Sequence, residues 1–315
     1  MISSGSTFRR SGFAALLLGT LFVVAFALPA RAIFINGEGP DNVTGIYDRF
    51  VVGTYPGNPV PPVANPTFIW AALDLSGIGW LDNDSTHSVT LVSPQYIVSA
   101  SHNAPGVGTV LQFLGTDHLL HSATVSSNYT LSSTGPGGAR PADLTVGRLT
   151  TALPASVTPM PVFYRGTTDV AVSSSFDQYI GLTLLNYGRT ARMGTNVFDD
   201  DTEFTLDGLP YGGMGFAYFY DSGVAGDTIL EGGDSGSPTL AYEDGLYGLI
   251  GTHSGVGANV SVDSFVSYTP YINQISAILA NDNQTLTFVP EPSTTLLGLA
   301  VLGMCGACRL RRERR

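Results

Sequence analysis

The sequence predicts an antiparallel all-β unit, a barrel or sandwich, over residues 33 to about 288. Three observations predict it. Short β-branched or aromatic runs recur at Thr67–Leu73, Tyr96–Ser99, Thr109–Leu114, Glu203–Leu206 and Tyr247–Gly251. Gly, Pro, Ser and Thr punctuate them at short intervals, the pattern of strands joined by turns. Only Tyr268–Ala280 carries helical spacing, through Ile272, Ile275, Ile278 and Leu279. The length suits one compact unit of two packed halves.

Ahead of this unit, residues 1–32 read as a secretory signal. Arg9 and Arg10 form a basic start, Phe13 to Leu28 an apolar core, and Ala30-Arg31-Ala32 a small-x-small cleavage site. Residues 33–288 hold six arginines, no lysine and 23 acidic residues, a formal charge of −17. Such a surface repels nucleic acid and anionic lipid. Cys305 and Cys308 are the only cysteines, so the exported unit has no disulfide and relies on its core. Within an apolar segment their C-x-x-C spacing is a weak sign of redox or metal chemistry.

The chemistry concentrates in three places. Gly232-Gly233-Asp234-Ser235-Gly236-Ser237-Pro238 places glycines around a serine, where a strained turn exposes a nucleophile and aims the Gly233 and Ser235 amides into one space. Upstream, two β-rich runs around Ser93-Pro94 lead into Ser99-Ala100-Ser101-His102. Between them, Asp143 stands near the start of a strand-like segment. A buried carboxylate beside a histidine fixes its tautomer and stabilises the imidazolium, which lets the histidine take a serine proton. Each has an ordinary alternative: Ser235 a turn residue, His102 a satisfied histidine at a strand end, Asp143 a cap. Asp117, beside His118, is a rival acid but reads as a hairpin tip.

The order His102, Asp143, Ser235, in these contexts, resembles the chymotrypsin/trypsin-like serine endopeptidases. Ser-Ala-Ser-His102 is similar to the family's Thr-Ala-Ala-His block, Ala142-Asp143-Leu144 to its Asp-Ile-Ala-Leu block, and Gly233-Asp234-Ser235-Gly236 to its nucleophile block. The likeness spans about residues 33 to 282, including the terminal helix. It implies two antiparallel six-stranded barrels, about 33–155 and 156–282, and a secreted endopeptidase with an oxyanion hole at Gly233 and Ser235. No cofactor or metal is implied, and the partner is a polypeptide substrate. Ser237 replaces a usual glycine, and Asn103-Ala104-Pro105 a cysteine-containing run. In the family a branched apolar N-terminus can fold in toward the aspartate before the nucleophile, here Asp234. The expectation for Ile33 is nevertheless a surface-exposed start, because it lies far from His102.

By the same resemblance the primary pocket is floored by Ile229, which lacks the carboxylate that a preference for Arg or Lys needs. Its wall, Thr252-His253-Ser254, is similar to the segment of glutamyl endopeptidases in which a histidine holds the substrate's carboxylate. His253 is therefore either a reader of acidic residues, aided by Thr252 or Ser254, or a hydroxyl-bonded structural histidine. Asp82–Ser85 and Asp199–Glu203 are oxygen-rich loops and His118/His121 a spaced pair, but solvated turns are the commoner case and no metal is assigned.

Residues 289–315 form a tail of three parts: Val289-Pro290-Glu291-Pro292-Ser293, an apolar stretch Leu296–Ala307, and five arginines. It resembles the PEP-CTERM sorting signal of Gram-negative bacteria, which implies export, brief anchoring in the inner membrane, and removal by an exosortase-like enzyme. A plain single-pass anchor is the alternative; either way the tail is the only membrane contact expected. Against the enzyme stands a second class, a catalytically silent extracellular β-domain that binds a protein or polysaccharide through the same cleft.

Overall fold

A computed structural model describes residues 33–290, except 39–44, 52–53, 56–60, 83, 134–137 and 167–175. Residues 1–32, where a secretory signal is expected, the apolar stretch 296–307 and both cysteines lie outside the described residues.

The described chain is mostly β. Its strands are β1 (Phe34–Ile35), β2 (Ile78–Leu81), β3 (Asp84–Ser93), β4 (Tyr96–Ser99), β5 (Val110–Leu114), β6 (Leu120–Ser133) and β7 (Arg140–Leu149). After them come β8 (Thr183–Gly188), β9 (Arg192–Val197), β10 (Asp200–Thr205), β11 (Gly212–Phe219), β12 (Thr228–Ile229), β13 (Pro238–Glu243), β14 (Leu246–Val256) and β15 (Val260–Phe265). One helix follows, α1 (Thr269–Ala280).

Strands β4-β3-β2-β5-β6-β7 pair in that order, and β4 also pairs β7, so the six close into a ring. Val89, Leu91, Ile97, Leu111, Phe113, Val125 and Leu149 fill one core there. All four residues of β4 are buried because the strand has a core on each face, Tyr96 and Val98 entering one and Ile97 the other. In the second set, β11-β15-β14-β13-β8-β9, no direct pairing joins β9 to β11. β9 instead runs on through residues 198–199, bonded to Leu182 O and Ala217 O, into β10, which pairs β11. The two-barrel expectation is thus met by one ring closed through direct pairings and a second set linked through β10. Along β9 itself, residues 219–228 supply the remaining partners. Thr195 donates its N–H to Gly226 O at 2.9 Å, and the Asn196 side-chain amide reaches Phe219 O at 3.2 Å and Thr228 O at 2.8 Å. Side-chain and loop bonds take the place of a ladder there. Between the two sets, β7 and β11 pair in parallel at Gly212 and Ala142.

Helix α1 buries Tyr271, Ile272, Ile275 and Leu279 on one stripe, as the spacing predicts. Each such side chain stabilises the fold by roughly 1.5–3 kcal/mol. Pro270 sits in the first turn, where its missing N–H costs nothing. The end of the helix is tied to the ring: Tyr96 donates its hydroxyl to Asp282 Oδ2 at 2.6 Å, and Arg148 Nε donates to the same oxygen at 2.6 Å.

Three local expectations are corrected. Thr67–Leu73 is a succession of turns and not a strand. Asn65 Oδ1 accepts from the backbone N–H and the hydroxyl of Thr67, and Phe68, Ala71 and Leu73 bond back three residues, so local bonds outcompete β-propensity. Residues 200–205 of the acidic run form strand β10, paired with β11. Ile33 is fully buried and not at the surface, because β1 pairs β12 and carries it inward. Among the described residues no helix is long and apolar enough to cross a membrane.

Candidate active site

His102 lies on a single 3₁₀ turn, Ser101–Asn103, just beyond β4. Ser101 pins the turn to β7, its hydroxyl 2.9 Å from Ala142 O and 2.7 Å from Thr145 Oγ1. Asp143, on β7, is fully buried. Its Oδ1 accepts the backbone N–H of His102 at 2.9 Å, and its two oxygens lie 3.0 and 2.9 Å from His102 Nδ1. With Nδ1–H turned to a carboxylate, the lone pair of Nε2 faces the other way. There it meets Ser235 Oγ at 2.8 Å. Ser235, between β12 and β13, is half-buried, and the His102 side chain is 17% exposed, so both remain within reach of solvent. Sequence positions 102, 143 and 235 therefore converge on one acid–base–hydroxyl chain.

The loop before Ser235 is held by Asp234. This fully buried carboxylate accepts the N–H of Arg189 at 2.9 Å and of Glu231 at 2.8 Å. Burial pushes its pKa up, opposed by the positive charge of His253 and by those two N–H groups. Gly233 has φ +103°, a conformation that side chains resist, and the Arg189 guanidinium lies against it. The N–H groups of Asp234, Gly236 and Ser237 are all bonded to carbonyls. Among the described residues, those of Gly233 and Ser235 meet no acceptor. Two free donors beside a base-bonded hydroxyl are what a developing oxyanion needs.

The expected pocket residues sit differently. Ile229 is half-buried in β12, paired with Phe34. Thr252 and His253 are fully buried and Ser254 nearly so. His253 Nδ1 lies 3.0 Å from Asp263 Oδ1 and its Nε2 3.1 Å from Tyr187 O, so both ring nitrogens face acceptors within the protein. Burial alone would lower the pKa of His253, but Asp263, Asp234 and the Tyr187 carbonyl outweigh it and raise it. Ser254 Oγ pairs with Ser264 Oγ at 2.8 Å, and Ser264 donates to Asp143 O at 2.7 Å. This network backs the triad from the second set of strands.

Asp117 stands at the β5–β6 hairpin, 3.0 Å from His121 Nε2 and apart from His102. Asp82 accepts from Gln112 at 2.8 Å. Among the described residues no three His, Cys, Asp or Glu side chains gather as a metal-ligand set. Sequence reasoning passed over Asp263, Arg189 and Asn103. Nothing in the spacing marks the first two; Asn103 is marked only by following His102.

No family model matches the chain, and no curated protein matches it. Among solved structures it is similar to one titled as an atomic-resolution structure of HBP, at 13% identity and a TM-score of 0.45, over 67% of this chain and 94% of that one. A likeness at that level carries no argument about this chain, and the site stands on its own geometry.

Proposed function

We propose that the chain is an exported serine endopeptidase of the chymotrypsin-like class, its two sets of strands corresponding to two barrels. The observation that carries this reading is the unbroken hydrogen-bond chain from Asp143 through His102 to Ser235. Ser235 Oγ adds to the peptide carbonyl carbon as His102 Nε2 takes its proton. The Gly233 and Ser235 amides hold the oxyanion. His102 returns the proton to the departing amine as the C–N bond breaks, and water repeats the sequence on the acyl-enzyme. Asp143 orients His102 and stabilises its charged form.

Of the two readings of His253, its enclosure favours the structural one: a buried imidazolium paired with Asp263 has no nitrogen left for a substrate carboxylate. A panel of peptides differing before the cleaved bond tests this, and enrichment for Glu or Asp would overturn it.

Leader removal at Ala32–Ile33 is proposed as the maturation step. The support is a shared pocket: a side chain at Gly188 would stand 2.6 Å from Ile33 Cβ and 2.9 Å from Asp234 Oδ1. An amine freed at Ile33 would enter the surroundings of that buried carboxylate. The tail, 289–315, is proposed to anchor the enzyme outward until an exosortase-like enzyme cuts near Pro290-Glu291-Pro292.

The test is fluorophosphonate labelling of the chain after leader removal, with Ile33 at its N-terminus, beside Ser235→Ala and His102→Ala. Labelling of the parent alone is expected. A folded parent that takes no more label than Ser235→Ala overturns the enzyme and leaves the binding β-domain.

A further inference from the structure

Two consecutive residues grip Ser235 at two atoms. His102 Nε2 faces its Oγ at 2.8 Å, and Asn103 Nδ2 donates to its carbonyl oxygen at 3.0 Å. A carbonyl only accepts, so the amide nitrogen of Asn103 must face it and Oδ1 must turn away. That Oδ1 lies 2.8 Å from His87 Nε2 and only accepts, so Nε2 donates to Asn103, as Nδ1 donates to the carboxylate on its other side. On its other side His87 Nδ1 lies 3.1 Å from Asp84 Oδ2. A polar chain thus runs from Asp84 through His87 and Asn103 to the nucleophile, separate from the triad.

The backbone is bent to make this chain. β2 and β3 pair Trp80 with Ser88 and then Leu81 with Asp84, which leaves residues 85–87 outside the ladder. In a regular strand, residues three apart point to opposite faces. The bulge is what lets Asp84 and His87 meet, and bulges beside active sites commonly re-aim a side chain. The His87 side chain is about one-third exposed, and both of its ring nitrogens are engaged, one by Asn103 and one by Asp84.

We propose that Asn103 is a positioning residue for Ser235, and that His87, held by Asp84, fixes the orientation of the Asn103 carboxamide. The inference rests on the hydrolase reading above. The bond to Ser235 O limits rotation of the Ser235–Gly236 peptide and so the direction in which the Ser235 side chain leaves the backbone. The 3₁₀ turn carries both grips, so the base and the backbone clamp move as one piece. Displacing a reacting group by about 1 Å costs on the order of 10²-fold in rate, so a clamp of this kind acts on the chemical step and not on binding.

The test separates those two. The chain with its leader removed, starting at Ile33, is reacted with a fluorophosphonate, and kinact and KI are measured for the parent and for Asn103→Asp, Asn103→Leu, His87→Phe and His87→Gln. Asn103→Asp keeps shape but loses the donor. His87→Gln keeps an N–H near the place of Nε2. The expected result is a fall in kinact of about tenfold for Asn103→Asp, Asn103→Leu and His87→Phe, KI unchanged, and His87→Gln within about threefold of the parent. Unchanged Tm in Asn103→Asp and His87→Gln shows that these two are folded. Parent-like kinact in Asn103→Asp and His87→Phe, or losses confined to KI, would overturn the clamp while leaving the hydrolase intact. A parent labelled no faster than Ser235→Ala overturns the hydrolase reading and this inference together.

Discussion

His102 Nε2 and Ser235 Oγ stand 2.8 Å apart although 133 residues separate them in the chain. The histidine is carried by the closed ring of strands and the serine by the loop ahead of β13. The Asp143 carbonyl, accepting from Ser264 of β15, ties the two sets together directly beneath that contact. The pair is therefore as stable as the junction between the sets.

Asp143→Asn should leave the fold intact and lower kcat by about three to four orders of magnitude. The amide oxygen can still accept from the His102 backbone N–H. An amide nitrogen turned to Nδ1 would instead stabilise the tautomer whose proton faces Ser235. Initial rates on a denatured protein substrate, beside a circular-dichroism spectrum, check this; a loss below about tenfold would remove Asp143 from the mechanism.

Gly233→Ala should lower kcat by about 10²- to 10³-fold with a smaller effect on KM. The new methyl would collide with the Arg189 guanidinium, and φ of +103° resists any side chain. The double variant Gly233→Ala/Arg189→Ala removes the collision but not the backbone strain. Its activity should stay well below that of Arg189→Ala alone.

Thermal stability should decline as pH rises above 6.5, the ordinary histidine value. The folded protein holds the His253 proton more tightly than the unfolded chain does. Once pH passes that value the unfolded chain releases a proton that the folded one keeps, and stability falls until the raised folded pKa is passed. Asp234, also raised by burial, contributes in the same direction but from its lower carboxylate range. Asp263→Asn should flatten the slope of Tm between about pH 6 and 9; an unaltered slope would exclude the His253–Asp263 pair as its source.

Gly188→Ala should destabilise the protein by about 1–3 kcal/mol, because the added methyl has no room between Ile33 and Asp234. Ile33→Ala empties the same pocket and should cost about 2–5 kcal/mol. The two changes share one space, so the double variant should be more stable than the sum of the single losses predicts. Strict additivity in denaturant unfolding would mean that the two residues do not share that pocket.

The strands Tyr96–Ser99 and Tyr247–Gly251 and the helix at 269–280 were legible because their patterns are local: a run of β-formers, or apolar residues at 3.6 spacing. Thr67–Leu73 misled for the same reason, since its composition suits a strand while Asn65 commits the backbone to turns. The three triad residues could be named because each stands in a distinctive short run. Asn103 and His87 could not, since nothing local tells an asparagine that will hold a carbonyl from one that faces water. For His253 the spacing left two readings open, and Asp263 and the Tyr187 carbonyl, ten and 66 residues away, are what enclose it.

From sequence alone come the all-β class, the terminal helix, the acidic surface and the candidates His102, Asp143 and Ser235. Each depends on composition, periodicity or a few neighbouring residues. Tertiary structure alone decided that one ring of strands closes through β4 and β7 while the other set reaches β11 through β10, and that Ile33 turns inward to share a pocket with Asp234. It also decided that a bulge in β3 brings His87 to Asn103 and that His253 is sealed behind the site. These depend on which distant segments pack together. That choice follows from burying the whole apolar surface at once while pairing every buried polar group, a condition that no single stretch of chain contains.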